Sequence, residues 1–132
     1  MARKRILLAK MGLDCHDTGI ITVAAMLRDA GHEVIYLGLH NNAEQVVKTM
    51  IEEDVDAVGI SFLSGQHMTQ ARRLLERMRA RDIRVPVFCG GVIPADDAAE
   101  LRALGVADVF TPGTLSRDVV TRVDRRLAGV AA

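Results

Sequence analysis

Tryptophan is absent from this chain of 132 residues, which has one tyrosine and three phenylalanines. Proteins that hold single-stranded nucleic acid stack bases on aromatic rings, and that platform is missing. An excess of either charge is missing too. Seventeen basic and seventeen acidic residues cancel, so no strong field draws the chain to nucleic acid or to an anionic membrane surface. The two cysteines, Cys15 and Cys89, lie far apart in sequence, which argues against a disulfide framework and against a CxxC zinc site. No apolar run approaches the length that spans a bilayer. The start, MARKRILLAKMG, is basic, but its apolar run is short, Lys10 interrupts it, and no small-residue cleavage site follows. It does not read as a secretory signal. These absences point to a cytoplasmic protein with reduced thiols.

What the sequence has is apolar residues, 49% of the total, too many for a disordered chain and enough for one sizeable core. The length suits a single domain over 1–132. Short runs rich in Val and Ile alternate with longer amphipathic stretches. Ile6–Lys10, Glu33–Leu37, Ala57–Ser61, Val85–Cys89 and Asp108–Thr111 read as strands. Ile20–Gly31, Ala43–Asp54, Met68–Arg81, Ala95–Leu104 and Leu115–Leu127 read as helices, with apolar residues at helical spacing such as Val46, Val47, Met50 and Ile51. Gly31 and Gly105 fall where helices end and favour left-handed caps, and Ser116 offers an N-cap hydroxyl. Strict alternation of strand and helix predicts a parallel sheet with helices on both faces, joined by right-handed crossovers. The fold class is α/β, a Rossmann-like (flavodoxin-like) five-stranded sheet of order 2-1-3-4-5. Ligands of such sheets bind beyond the carboxyl ends of the strands.

The strand ends therefore carry the chemistry. After the first strand comes a long loop, Met11 to Gly19, in which Asp14 and His16 stand two apart. In extended chain, residues i and i+2 project to one side. A carboxylate there can accept one imidazole N–H and leave the other nitrogen as a metal donor. Gly19 lets the chain turn into the first helix beside a bulky ligand. The third strand ends in Ser61-Phe62-Leu63-Ser64-Gly65 and the fourth in Cys89-Gly90-Gly91-Val92-Ile93-Pro94. The first offers hydroxyls, and the glycine pair of the second leaves space for close approach. After the fifth strand, Pro112-Gly113-Thr114 could present backbone N–H groups to a phosphate near a helix N-terminus. Each segment alone also suits an ordinary turn; four together at one end of a sheet do not.

These residues carry a resemblance. Asp14-Cys15-His16-Asp17-Thr18-Gly19, then Ser61-Phe62-Leu63, then Gly90-Gly91 look like the Asp-x-His-x-x-Gly, Ser-x-Leu and Gly-Gly elements of cobalamin-binding domains, in the same order. The wording from Lys10 to Asp14, from Leu63 to Met68 and from Gly90 to Pro94 resembles the cobalamin domain of methylmalonyl-CoA mutase and its 2-hydroxyisobutyryl-CoA and isobutyryl-CoA relatives. The resemblance runs from about Arg5 to Leu127. It implies that His16 ligates cobalt in place of the cofactor's benzimidazole tail, that Asp14 orients His16 with Lys10 beside it, and that Gly19, Ser61, Leu63, Gly90 and Gly91 line the tail slot. Gly113 and Thr114 would sit near the nucleotide end of the tail. Cys15, Asp17, Thr18, Ser64, Gly65 and Val92 complete the implied contacts, with no catalytic residue of the chain's own. Two departures stand out. Cys15 replaces the usual Gly, where a positive φ would strain it, and it reads as a space-filler rather than a competing thiolate. Thr18 stands where relatives often have Arg, which touches contact with a partner.

The resemblance implies an adenosylcobalamin-binding small subunit of an acyl-CoA mutase, in which cobalt–carbon homolysis gives a deoxyadenosyl radical that abstracts substrate hydrogen. The implied partner is a large TIM-barrel subunit that binds the acyl-CoA, in a heterotetramer of two large and two small subunits. Loops around Leu13–Thr18, Gly65–Met68 and Ile93–Ala95 are the expected partner surface. The alternative is a stand-alone cobalamin chaperone or sensor module. A response-regulator receiver domain needs Asp at the end of strand three and Lys at the end of strand five, where this chain has Ser61 and Thr111-Pro112. Of the other histidines, His32 reads as a turn residue and His40 as a surface one. His67 reads as lying near the ligand end, where a touch on the corrin is the lesser reading.

Overall fold

The computed structural model describes residues 4–11, 18–38, 41–62, 67–91, 93–111 and 114–130. Five strands, β1 (Arg5–Lys10), β2 (Glu33–Tyr36), β3 (Ala57–Phe62), β4 (Val87–Gly91) and β5 (Asp108–Phe110), form one parallel sheet in the order β2-β1-β3-β4-β5. The predicted order is thus the observed one. The connecting helices are α1 (Thr18–Asp29), α2 (Ala43–Glu53), α3 (His67–Ala80), α4 (Ala95–Leu104) and α5 (Ser116–Val130). Inner strands covered on both faces lose their polar alternation, which is why β1 reads Ile-Leu-Leu-Ala with every one of the four buried.

Alternation along each strand divides the core into two layers. Leu7, Ala9, Val58, Ile60, Val87, Cys89 and Val109 face α2, α3 and α4. Ile6, Leu8, Ala57, Phe88 and Phe110 face α1 and α5, meeting Ile20, Ala24, Leu27, Val120, Val123 and Leu127. Local signals set the helix ends. At the start of α2, Asn42 Oδ1 accepts the Gln45 N–H while Gln45 Oε1 accepts the Asn42 N–H, each at 2.9 Å, a reciprocal cap. Gly31 (φ +98°) and Gly105 (φ +116°) take the left-handed conformation expected of them after α1 and α4.

The fourth strand starts later than predicted and runs further. Pro86 has no N–H for the ladder, so pairing begins at Val87. It continues through Gly90 and Gly91, which stand opposite Ser61 and Phe62. At the amino end of the sheet, His32 follows the turn after α1, as expected, but it is buried. Its Nδ1 accepts the Lys4 N–H at 3.2 Å and its Nε2 meets Asp124 Oδ1 at 2.5 Å, tying α5 to the edge of β1. Arg5 reinforces that end through Glu33 and the Glu53 carbonyl. The opposite end is left for a site.

Candidate functional site

At the carboxyl end the register aligns Lys10 with Ser61, Ser61 with Gly90, and Gly90 with Phe110. By alternation from Leu8, Ala57, Phe88 and Phe110, all four belong to the α1/α5 face. The row is large at its two ends and small in its middle. Lys10 and Phe110 are buried, whereas Ser61 and Gly90, on the two central strands, remain part-exposed. A central strand is normally covered on both faces; among the described residues, the helical layer covers this pair only in part. Among the described residues, a Cβ at Gly90 would meet nothing nearer than Phe110 at 3.8 Å, an ordinary contact. One row below, Gly59 is different, because a Cβ there would strike Leu8 Cδ2 at 2.6 Å. The gap thus sits in the last row, where a flat group entering from the strand ends would find a hydroxyl, bare backbone and an aromatic flank.

Gly91 does not share this gap, contrary to the expectation that the glycine pair as a whole leaves room. Its φ is +110°, and a Cβ would fall on the carbonyl oxygen of Phe62 and lie 2.8 Å from the carbonyl carbon. The missing side chain is replaced by the backbone of β3. Gly91 lets β4 approach and then turn away, its carbonyl accepting the Ile93 N–H at 3.1 Å.

The end of β1 is held by a residue that sequence reasoning missed. Asn41 is buried; its Nδ2 donates to the carbonyls of Lys10 (3.1 Å) and Gly38 (2.8 Å), and its N–H also reaches Lys10. Met11 bridges to Asn41 and donates to the Ser61 carbonyl at 3.3 Å. The chain is therefore fixed at the point where the segment bearing Asp14 and His16 departs. Asp14, Cys15, His16, Asp17, Leu63, Ser64, Gly65, Val92 and Gly113, with His40, lie outside the described residues. Of Thr18 and Gly19 the backbone is described, and it opens α1.

Thr114 precedes α5. Both its N–H (3.2 Å) and its hydroxyl (2.8 Å) donate to the Thr111 carbonyl, so an incoming phosphate would find neither donor free, and the hydroxyl offers lone pairs instead. Ile93, expected on the partner surface, is 1% exposed and packs in the core, while Met68 packs partly against it. His67 is buried as well, with Nε2 2.7 Å from Asp97 Oδ2. Burial pushes the Cys89 thiol up to about 12, which makes it an inert core residue rather than a ligand. Among the described residues no cluster of three His, Cys, Asp or Glu could hold a metal, and no helix is long and apolar enough to cross a membrane.

An open parallel α/β sheet takes its ligand beyond the carboxyl ends of its strands, where this last row thins to a serine and a glycine. The B12 binding domain matches residues 4–120, and the chain belongs to that family. It is 45% identical over 131 residues to the 2-hydroxyisobutanoyl-CoA mutase small subunit of Aquincola tertiaricarbonis, covering 97% of this chain and 95% of that protein. It is 44% identical over 117 residues to the pivalyl-CoA mutase small subunit of Xanthobacter autotrophicus, covering 88% and 78%. Among solved structures, a cobalamin-binding protein from Desulfitobacterium hafniense superposes with a TM-score of 0.80 at 26% identity, covering 94% of this chain and 59% of that one.

Proposed function

We propose that the chain is the adenosylcobalamin-carrying small subunit of a coenzyme-A-linked carbon-skeleton mutase. The observation that carries this is the match along nearly its whole length to small subunits of acyl-CoA mutases. The described residues suit the cofactor, since the part-exposed Ser61 and the side-chain-free Gly90 leave a place at the sheet's ligand end for a flat heterocycle. When bound, adenosylcobalamin supplies a carbon–cobalt bond whose homolysis starts radical rearrangement.

The protein's own part is to bind and orient. His16 is the proposed cobalt ligand, and Asp14 accepts its other ring N–H and so fixes the tautomer and ring orientation. Gly19, Ser61, Leu63 and Gly90 line the slot for the displaced tail, with Cys15, Asp17, Thr18, Ser64, Gly65 and Val92 around it. Gly91 sets the path of β4, and Gly113 and Thr114 stand near the nucleotide end. A large barrel subunit, two per pair of small subunits, holds the acyl-CoA and excludes water from the reacting centre. The cytoplasm is the proposed compartment.

Electron paramagnetic resonance of the cob(II)alamin complex, prepared with nitrogen-15-labelled protein, tests the ligand. The superhyperfine splitting changes if a histidine nitrogen binds cobalt; an unchanged spectrum removes His16 from the metal. Acyl-CoA isomerisation should be absent with the loaded chain alone and appear on adding the large subunit. Turnover by the lone chain overturns the carrier reading.

A further inference from the structure

His67 opens α3 directly after the segment that follows β3, and Asp97 lies in the first turn of α4, just beyond the end of β4. Both stand at the carboxyl end of the sheet. His67 Nε2 is 2.7 Å from Asp97 Oδ2, and the imidazole side chain is 7% exposed. A carboxylate only accepts, so Nε2 carries a proton, and in the neutral tautomer that this selects Nδ1 presents a lone pair. That Nδ1 is buried and has no hydrogen-bond partner among the described residues. His32 is the internal contrast, since it is just as buried and both of its ring nitrogens are engaged. Buried polar atoms are nearly always satisfied, and one left bare calls for a cause. Cobalamin carries primary amides around its corrin rim, and an amide N–H is the donor that a neutral imidazole nitrogen lacks.

We infer that His67 Nδ1 accepts a hydrogen bond from a corrin side-chain amide, with Asp97 holding the ring in the accepting tautomer. This makes His67 a direct cofactor contact additional to the tail slot and the cobalt ligand, and it rests on the cobalamin-carrier reading above.

The test uses the full chain without its partner and hydroxocobalamin as the probe. His67→Gln keeps an amide N–H able to reach Asp97 but has no acceptor at the Nδ1 position; His67→Asn places its amide oxygen near Nδ1 and gives up the reach to Asp97. His67→Gln should bind about three- to tenfold more weakly, the worth of one hydrogen bond, while the ligand-free melting temperature stays level or rises. His67→Asn should bind more tightly than His67→Gln. The parent should also discriminate against one of the cobalamin monocarboxylic acids, in which a single amide has been hydrolysed, and His67→Gln should lose that discrimination. Parent-like binding by His67→Gln refutes the contact. So does weaker binding that merely tracks a fall in ligand-free stability, or a defect seen only with the large subunit present. Failure of the parent itself to bind hydroxocobalamin is a separate result and removes the carrier reading instead.

Discussion

Adding one methyl group at Gly90 or at Gly91 should have opposite consequences, although the two residues are neighbours in one strand. At Gly91 the new Cβ would fall on the Phe62 carbonyl and the backbone would be held at φ +110°. A non-glycine residue in so sparsely populated a conformation costs about 1–3 kcal/mol, and forcing an atom into packed backbone adds about 1–3 kcal/mol. A total of about 2–6 kcal/mol, set against an unfolding entropy of about 0.28 kcal/mol/K for 132 residues, lowers the melting temperature of Gly91→Ala by about 7–21 °C. At Gly90 the nearest atoms to a Cβ among the described residues are 3.8 Å away and φ is not positive. Glycine inside a strand is itself a small cost, about 0.5–1 kcal/mol, so Gly90→Ala should melt within about 3 °C of the parent or slightly above it. Its methyl would nevertheless stand in the gap beside Ser61, and cobalamin binding should weaken by about tenfold or more, the cost of displacing a group by about one van der Waals contact. Calorimetry and cobalamin titration on both variants decide the matter. Parent-like melting of Gly91→Ala would refute the close-approach argument, and parent-like binding by Gly90→Ala would place the ligand away from the row.

Four further outcomes are expected. Asp14→Ala should weaken cobalamin binding by about 10–100-fold, the usual loss on removing the group that orients a metal-bound histidine, whereas His16→Ala should abolish histidine coordination; titration and electron paramagnetic resonance separate the two. Burial works to raise the Asp108 carboxyl, but hydrogen bonds from Arg122, the Val109 N–H and Arg102 outweigh it and hold the pKa below the ordinary 3.8. Its stabilising contribution is therefore present above that value and lost as pH falls through the lowered one, so the deficit of Asp108→Asn in urea unfolding at pH 7 should shrink below about pH 4. His32→Ala leaves the Lys4 N–H and Asp124 without a partner and should cost about 1–3 kcal/mol, with cobalamin affinity unchanged because His32 lies at the far end of the sheet. Cys89 should resist N-ethylmaleimide at pH 8 until the chain unfolds, as peptide mass spectrometry can show; rapid labelling would contradict its burial.

The order of elements was legible because each one advertises itself locally. Ala95–Leu104 is identical in expectation and structure, since Pro94 and Gly105 bracket it. The fourth strand was misplaced because apolar content drew it back to Val85, whereas pairing depends on which residues have N–H groups and on what stands opposite. The glycine pair shows the same limit. Sequence presents two equal glycines, and only the distance to Phe62 reveals that one makes room for a neighbouring strand and the other for something else. Asn41 and the His67–Asp97 pair were missed because their partners lie about thirty residues away, beyond any local pattern. The Asn41-Asn42 doublet after β2 was the available signal for the first.

The two faces of the sheet are built unequally. Among the described residues, twenty-two buried side chains pack between the sheet and α2, α3 and α4, against eleven on the α1/α5 face, whose last row thins to a serine and a glycine. With cobalamin seated there, the ligand would act as the missing part of a core, and its binding free energy would add directly to the stability of that half. In the empty subunit α1 and α5 would be the first helices to exchange their amide hydrogens and the first to admit a protease.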